Sequence, residues 1–369
     1  FVLALAVAIG TPLLLDWTWA AAVYKALVLL VVACPCALVI ATPISVVSAL
    51  ASAARWGVLI KGGTYVEEAR KIRFVAVDKT GTITEGKPTM VAFEVLKGEP
   101  DHVARLAASL ASRSDHPVSR AIAQGLKVQG LAVDQFQALA GRGTRGSIEG
   151  EVLHLGNHRL VEELGLCSAE LEAKLQGHEA QGRTVTLLVS ATQVLALFAV
   201  ADSIKPTSRE AIATLAGMNV SIVMLTGDNQ RTAQTIATQA GLSEARGDLL
   251  PEDKLAAIRE LRSKGPTAMI GDGINDAPAL TESDIGIAMG VAGADIAIES
   301  ADVVIMNDDL RRIPDLLRLS RRTHAVLWQN IALALGIKVV FLYLAIFDNA
   351  SMWMAVFADM GASLLVVAN

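Results

Sequence analysis

Cysteines, aromatic residues and charges are all scarce in this 369-residue sequence. Cys34 and Cys36 stand two apart in an apolar run and Cys167 stands alone in a polar one, a spacing that implies no disulfide framework. The 32 Lys and Arg residues do not outnumber the 37 Asp and Glu residues, so the basic surface that a nucleic-acid partner requires is lacking. Internal repeats and low-complexity tracts are lacking too.

No initiator Met and no basic segment precede the first apolar run, so a signal peptide explains that run poorly. We expect the chain to be a fragment that begins within a helix. Because 53% of the residues are hydrophobic and only 19% are charged, the composition predicts membrane segments joined to a soluble part. The apolar runs predict four spans, over residues 1–15, 20–54, 326–347 and 352–369.

Basic residues flank the region between the second and third spans, at Arg55, Lys61, Arg70, Lys71 and Arg73 on one side and at Arg311, Arg312, Arg318, Arg321 and Arg322 on the other. By the positive-inside rule, residues 62–322 are cytoplasmic. The sequence thus predicts an integral membrane protein in a lipid bilayer, and we expect the plasma (inner) membrane.

Short apolar runs alternate with helical patterns in the second half of the soluble region. The predicted strands are 220–225, 267–270, 285–289 and 303–306, and the predicted helices between them are 206–216, 230–240 and 251–264. This alternation indicates a doubly wound α/β domain with a parallel sheet. Residues 89–199 break the rhythm and indicate an inserted α+β domain.

Five segments follow from these patterns. They are two transmembrane helices (1–61), a first piece of the α/β domain (62–88), the insert (89–199), a second piece of the α/β domain (200–322) and two more transmembrane helices (323–369).

Polar residues gather where the predicted strands end or the next helices begin. Asp78-Lys79-Thr80-Gly81-Thr82 follows the apolar run 74–77, and Thr226, Lys254, Asp272 and Asp276 occupy comparable positions later. Such positions meet at the crevice of a doubly wound fold. Hydroxyls, a lysine and carboxylates are the groups that hold a phosphoryl group and Mg²⁺, whereas each motif alone is ordinary turn chemistry.

These motifs, in this order, resemble the haloacid-dehalogenase-like set of P-type ATPases. The resemblance implies that Asp78 is a nucleophile that becomes an aspartyl phosphate, with Lys79, Thr80, Thr226 and Lys254 in the catalytic set. It implies Mg²⁺ as a cofactor, held by Asp78, Thr80 and Asp272, with Asp276 in that site or supporting it. Phosphatases of the superfamily commonly carry an acid/base Asp two residues after the nucleophile. Thr80 stands there instead, so the phosphorylated aspartate should persist.

Residues 141–146 satisfy the pattern GxGxxG but do not precede a helix, so they fail as a Rossmann fingerprint. With Ser114-Asp115-His116-Pro117 upstream and Gly156-Asn157 downstream, they resemble the heavy-metal-transporting P-type ATPases. That resemblance implies an ATP pocket containing His116, Gly141, Gly143, Gly156 and Asn157, and we add Asp228. Asp115 departs from the family's usual Glu. We assign surface or structural places to the remaining histidines, His102, His154, His158, His178 and His324.

Cys34-Pro35-Cys36 lies inside an apolar run, where Pro35 removes a helical hydrogen bond and leaves carbonyls free beside two thiols. A single membrane cysteine is usually a small packing residue, but two around a proline suit a soft metal ion. The motif resembles the Cys-Pro-Cys helix of the same heavy-metal class.

Lys338 and Asp359 carry charges inside the third and fourth spans, where a charge is costly and therefore functional by default. Alternatively, Lys338 snorkels or Asp359 lies at an interface. Copper-transporting relatives typically carry Tyr-Asn and Met-x-x-Ser-Ser here, whereas residues 358–362 resemble the zinc, cadmium and lead exporters. The resemblance implies export of Zn²⁺, Cd²⁺ or Pb²⁺ through Cys34, Cys36 and Asp359, with Lys338 as a counter-charge that pairs with Asp359 after the metal leaves.

Three alternatives remain: a copper(I)-type pump, a membrane-tethered phosphatase and a non-catalytic metal-binding membrane protein. A Thr-Gly-Glu actuator loop, the spans upstream of the first one here and any N-terminal metal-binding domain are missing from this sequence. We therefore expect these residues to bind ATP without completing transport alone, and we expect the N-terminal part of the same polypeptide as a partner.

Overall fold

The computed structural model describes residues 1–14, 17–271, 276–290, 299–347 and 351–369. The chain divides into two compact units. The helical unit consists of Phe1–Trp56, Ile60–Arg70 and Leu316–Asn369, and the α/β unit consists of Gly57–Leu59 and Lys71–Asp315.

Apolar helices make up most of the helical unit. The helices of this unit are Val2–Leu14, Trp19–Ala33, Cys36–Arg55, the short polar helix Gly63–Ala69, Met352–Ala368 and, from Leu316 onward, the helix Arg312–Phe347. Small side chains meet where these helices pack, including Ala37, Ala41, Ala334 and Ala362, as is usual for helices that associate in a membrane. By length and composition, the helical stretches Trp19–Arg55 and Arg312–Ala345 can each cross a bilayer. Two further apolar helices, Val2–Leu14 and Met352–Ala368, are shorter than these.

The second apolar stretch is divided at Cys34 and Pro35. One helix ends at Ala33 and the next begins at Cys36, because Pro35 has no N–H to continue the hydrogen-bond ladder. The helix that contains the predicted third span begins at Arg312, well before Val326, so the basic segment continues that helix.

The α/β unit contains a seven-stranded sheet around the strand Phe74–Asp78. In spatial order its strands are Val58–Ile60, Val303–Ile305, Ile285–Met289, Thr267–Gly271, Phe74–Asp78, Ser221–Leu225 and Glu244–Arg246. The pairings from the second strand to the last are parallel. Crossover helices Pro206–Gly217, Gln230–Ala240, Pro251–Lys264 and Ala277–Glu282 follow individual strands, so the strands' carboxyl ends share one edge.

The insert is a six-stranded antiparallel sheet covered by helices. Its strands, in spatial order, are Thr89–Val95, Val194–Ala201, Thr184–Val189, Glu151–Gly156, Gly143–Ile148 and Asp134–Leu139. One core contains Leu110, Ile122 and Phe198 beneath Pro100–Ala111 and Pro117–Leu126. A separate core contains Val161 and Leu175 beneath His158–Glu163 and Ala169–Glu179.

The predicted fold class is confirmed, since a doubly wound parallel sheet carries an inserted α+β domain. Strand 285–289 and helices 230–240 and 251–264 have the predicted bounds. Residues 141–156 form a hairpin rather than a strand and helix, as the failed Rossmann pattern indicated.

Candidate active site and membrane metal site

Asp78 ends the central strand of the parallel sheet. Residues 75–77 before it are fully buried, so the strand is anchored on both faces and the carboxylate is held at the crevice. Its Oδ2 accepts a hydrogen bond from the Thr80 N–H at 2.9 Å. The following turn closes through a hydrogen bond from the Thr84 N–H to the Lys79 carbonyl. The other carboxylate oxygen, Oδ1, is therefore directed to a different partner.

That partner is Lys254, in the first turn of the helix Pro251–Lys264. Its Nζ donates to Asp78 Oδ1 at 2.6 Å and to Asp276 Oδ1 at 2.8 Å. Burial opposes the lysine's charge, but the two carboxylates outweigh it and raise the pKa of Lys254 well above its usual value. Lys254 thus stays protonated between two carboxylates, and the group of three keeps a net negative charge that favours a further cation.

Asp276 lies directly before the helix Ala277–Glu282 and is buried. It packs on Gly271, where an added Cβ would approach Asp276 Oδ2 to 2.8 Å, so this approach requires glycine. The structure therefore brings together Asp78, Lys254 and Asp276 from three separate segments. Asp272, the predicted Mg²⁺ ligand, lies outside the described residues.

Thr226 and Asp228 occupy the neighbouring strand end. The Thr226 hydroxyl accepts from the Asp228 N–H at 3.1 Å, and Asp228 forms an ion pair with Lys79. Although burial disfavours the charge on Lys79, Asp228 raises the pKa of Lys79 above its usual value. The predicted catalytic residue Lys79 and the predicted ATP-binding residue Asp228 thus bind each other in this structure.

Sequence reasoning missed three polar residues at this site. Thr184, on a strand of the insert, donates to Asp228 Oδ1 at 3.2 Å. Lys205 donates to the Gly81 carbonyl at 2.6 Å and to both oxygens of Asp308 at 2.8 Å, and Asp202 accepts from the Gly86 and Lys87 N–H groups. Asp202 directly follows the strand Val194–Ala201 and Lys205 lies three residues further on. That strand belongs to the antiparallel sheet of the insert, so the strand-end rule for parallel sheets that found Thr226 does not reach these residues.

Four of the five pocket residues predicted from the insert come together at the hairpin 141–156. The Asn157 side chain donates to the Gly141 carbonyl at 2.9 Å, and Gly143 pairs with Gly156 across the two strands. Gly143 has φ +137°, and an added Cβ would lie 2.2 Å from the Leu155 carbonyl oxygen. The fifth residue, His116, caps the helix Pro117–Leu126 and lies within electrostatic range of Lys79 and Asp228.

Lys338 and Asp359 are in contact in the helical unit. Lys338 Nζ lies 3.1 Å from Asp359 Oδ1. That this pair forms when a metal ion leaves stays a prediction. The same ammonium group donates to the Val32 carbonyl at 3.2 Å and to the Cys34 carbonyl. These carbonyls belong to the last turn and the C-cap of the helix that ends before Pro35, where the ladder is open.

Cys34 and Cys36 are joined by a disulfide, with their Cα atoms 5.5 Å apart. Because this bond joins residues only two apart, it is a local contact and not a disulfide framework that staples distant segments. A cysteine ligates a metal ion through its thiolate, so Cys34 and Cys36 can bind a metal only in the reduced form.

Comparisons with known proteins agree with this geometry. The family profile of the haloacid dehalogenase-like hydrolases matches residues 72–284. A probable cadmium-transporting ATPase of Staphylococcus aureus is 43% identical, over 100% of this chain and 52% of that protein. A zinc/cadmium/lead-transporting P-type ATPase of Escherichia coli is 42% identical, over 99% of this chain and 50% of that protein.

A zinc-transporting PIB-type ATPase in the E2.Pi state is similar in structure, with a TM-score of 0.75, 39% identity and coverage of 100% of this chain and 60% of that one. This chain spans about half the length of the curated relatives that it matches. It belongs to the haloacid dehalogenase-like hydrolase family and, within that family, to the P-type ATPases.

Proposed function

We propose that the protein to which this chain belongs uses ATP to export Zn²⁺, Cd²⁺ or Pb²⁺ through an aspartyl-phosphate intermediate at Asp78. The relatives named above are transporters of cadmium, or of zinc, cadmium and lead. We place the protein in the plasma (inner) membrane with residues 62–322 cytoplasmic, and we assign the domain boundaries predicted above. The remaining part of the polypeptide is an expected partner of these segments.

Asp78 attacks the terminal phosphorus of ATP through a carboxylate oxygen, and the bond from that phosphorus to the leaving ADP oxygen breaks. Lys254 lies against Asp78 Oδ1 and balances the charge that gathers on the phosphoryl oxygens. Thr226 supplies a hydroxyl at the neighbouring strand end. Two residues after Asp78 stands Thr80 instead of a carboxylate. Because Thr80 cannot act as a general base for an attacking water, its presence supports a long-lived phosphoenzyme.

Mg²⁺ fits the donors at this edge of the sheet. Asp78 and Asp276 offer the carboxylate oxygens that Mg²⁺ prefers, and a single lysine leaves their combined charge negative. We propose that Asp78 and the Thr80 segment hold the ion, with Asp272 as a further ligand and Asp276 as a ligand or support. When bound, Mg²⁺ neutralises charge on the phosphate oxygens.

ATP is proposed to lie between the glycine hairpin with Asn157 and the Asp78 crevice. His116 and Thr184 of the insert lie near Asp228 of the parallel-sheet domain, which supports a nucleotide position that both parts contact. Release of Asp228 from Lys79 would free the Lys79 ammonium group for the nucleotide phosphates.

One observation carries the choice of cargo: Lys338 joins Asp359 to the carbonyls at the Cys34-Pro35-Cys36 break. Two thiolates and a carboxylate suit a divalent borderline-soft ion. The Lys338 ammonium group puts a positive charge next to Asp359 and the Cys34 carbonyl. We propose that this charge replaces the charge of the metal ion after the ion is released.

The test is ATP hydrolysis and phosphoenzyme formation by the full-length protein with Zn²⁺, Cd²⁺, Pb²⁺, Cu⁺ and Co²⁺ supplied separately. We expect a hydroxylamine-sensitive phosphoenzyme that Asp78→Asn abolishes, and stimulation by the divalent ions that Cys34→Ala and Asp359→Ala abolish. Metal release that is unchanged in Lys338→Ala would contradict the counter-charge role.

Stimulation by Cu⁺ alone would instead support the copper(I)-type pump. Steady phosphate release without metal would support the membrane-tethered phosphatase. A full-length protein that binds the ions but never forms a phosphoenzyme would support the non-catalytic alternative.

A further inference from the structure

A second group of metal-ligating side chains lies in the insert, outside both sites described above. It consists of His158, Cys167 and Glu172, whose ligand atoms all lie within 4.8 Å of one another. All three side chains are partly buried, so neighbouring groups restrict their movement while an ion from solvent can still reach them. Neither the catalytic set nor the transported-metal set uses any of them.

The local fold holds this cluster in place. His158 opens a helix that Asn157 caps, with the Leu160 N–H bound to Asn157 Oδ1 at 3.2 Å. Glu172 lies in the first turns of the next helix, which Ser168 caps. Between the two helices, the Leu166 N–H donates to the Val161 carbonyl. Cys167 is thus set between two capped helices whose buried residues share one core, which is the rigid support that a metal site needs.

The cluster carries more negative than positive charge. His158 Nε2 lies 2.7 Å from Glu172 Oε1 and 3.7 Å from Glu162 Oε1. A divalent ion bound at this cluster would compensate the two carboxylates and displace the thiol proton.

We propose that His158, Cys167 and Glu172 bind a borderline-soft divalent cation of the Zn²⁺ and Cd²⁺ class. One imidazole, one thiolate and one carboxylate match the ligand types of that class, whereas Mg²⁺ requires oxygen ligands alone. Ligand atoms around such an ion lie roughly 3 to 4 Å apart, so the cluster closes on it by small side-chain rotations. Glu162 or water supplies the fourth position.

The competing explanation is an ordinary ion pair between His158 and Glu172. Such a pair needs no thiol, and it would give Cys167 no part in metal binding. Cys167 therefore decides between the two explanations.

The experiment uses the purified chain in detergent with Cys34 and Cys36 both replaced by Ser, which leaves Cys167 as its only cysteine. Cd²⁺ is added while the thiolate-to-cadmium charge-transfer absorption is followed, and equilibrium dialysis gives the number of ions bound. We expect one Cd²⁺ bound through a thiolate, displaced by Zn²⁺ but not by excess Mg²⁺. Cys167→Ser should remove the absorption band.

His158→Gln and Glu172→Gln should each weaken the Cd²⁺ affinity reported by that band by about tenfold or more. His102→Gln is the matched control, because His102 is about half exposed and pairs with Glu149 instead, and it should leave the affinity unchanged. Circular dichroism without metal establishes that each variant is folded.

The proposal is overturned if no thiolate band forms, or if folded His158→Gln and Glu172→Gln variants bind Cd²⁺ as tightly as the parent. Neither result would bear on the transport function, since the membrane cysteines are absent from this experiment.

Discussion

Lys254 is the residue on which the charge balance of the active site depends. It is the cation placed between Asp78 and Asp276, and all three side chains are largely buried. Removing one partner of a buried ion group leaves uncompensated charge in a poorly solvating environment. The stability of this site and the proposed catalytic role of Lys254 therefore depend on the same side chain, so a second substitution is needed to separate the two effects.

We predict that Lys254→Met lowers the free energy of unfolding by about 3 kcal/mol. Asp78→Asn in the same chain should recover a large part of this loss, because it removes one of the two repelling carboxylates. Thermal unfolding of the single and double variants measures both changes. Lys264→Met, on the same helix in an exposed pair with Glu260, should cost less than about 1 kcal/mol. A double variant no more stable than Lys254→Met would contradict this account.

In the hairpin 141–156, one glycine position has no room for a larger side chain and another does. Gly143 and Gly150 both have positive φ, but an added Cβ at Gly143 meets the Leu155 carbonyl oxygen and the Gly156 Cα, whereas nothing lies within 4 Å at Gly150. Substitution by alanine thus adds backbone strain at both positions and a collision with backbone at one.

Gly143→Ala should therefore weaken ATP binding by about tenfold or more, equivalent to roughly 1.4 kcal/mol, because the collision displaces the strand that leads to Asn157. Gly150→Ala is the matched control for positive φ and should change affinity much less. Isothermal titration with ATP gives both values. Equal losses in the two variants would show that backbone strain, not the collision, controls the pocket.

Asp309 stabilises the start of the long helix Arg312–Phe347. It is largely buried, and it accepts hydrogen bonds from the Arg311 N–H at 3.0 Å and from the Arg311 guanidinium at 3.0 to 3.1 Å. Burial opposes its ionisation, but the bonds to Arg311 prevail and lower the pKa of Asp309 below 3.8. The folded state therefore holds this proton less tightly than the unfolded state.

A lowered folded-state pKa contributes stability above the unfolded value, and this contribution disappears as pH falls through the folded value. Asp309→Asn should accordingly lower the free energy of unfolding by about 1 to 3 kcal/mol at pH 7. The difference from wild type should shrink as the pH falls below 3.8. Unfolding temperatures of both proteins across this pH range test the prediction, and a constant difference would contradict it.

Much of the fold could be predicted because strand and helix patterns are local. The strand 285–289 and the helix 251–264 follow from apolar runs, Pro251 and the charges around them. The partners of Asp228 could not be predicted, since Lys79 and Thr184 reach it from distant segments. The cluster of His158, Cys167 and Glu172 depends in the same way on the packing of two helices, which the positions of a lone cysteine and a histidine do not reveal.

At the scale of the whole molecule, one chain carries a proposed phosphorylation site and a proposed site for the exported metal ion. The α/β unit holds Asp78, the proposed nucleophile, and the helical unit holds Asp359 and the cysteine pair, the proposed ligands of the exported ion. If ATP use is coupled to export, then the membrane ligands must control phosphorylation although they take no part in its chemistry. A coupling of this kind is a difference in free energy between states, and it can be measured without knowing the path between the sites.

We therefore predict that Asp359→Asn in the full-length protein reduces Cd²⁺-stimulated phosphorylation of Asp78 by about 100-fold, equivalent to roughly 2.7 kcal/mol of coupling, while ATP affinity stays within about twofold of wild type. Asparagine keeps the size of the side chain and removes its charge, so a loss identifies the charge as the ligand. Met360→Leu is the matched control, because Met360 is the next residue and is exposed on the helix. Loss of phosphorylation in both variants would indicate damage to the helix, and full phosphorylation in Asp359→Asn would show that Asp359 does not bind the ion that triggers ATP use.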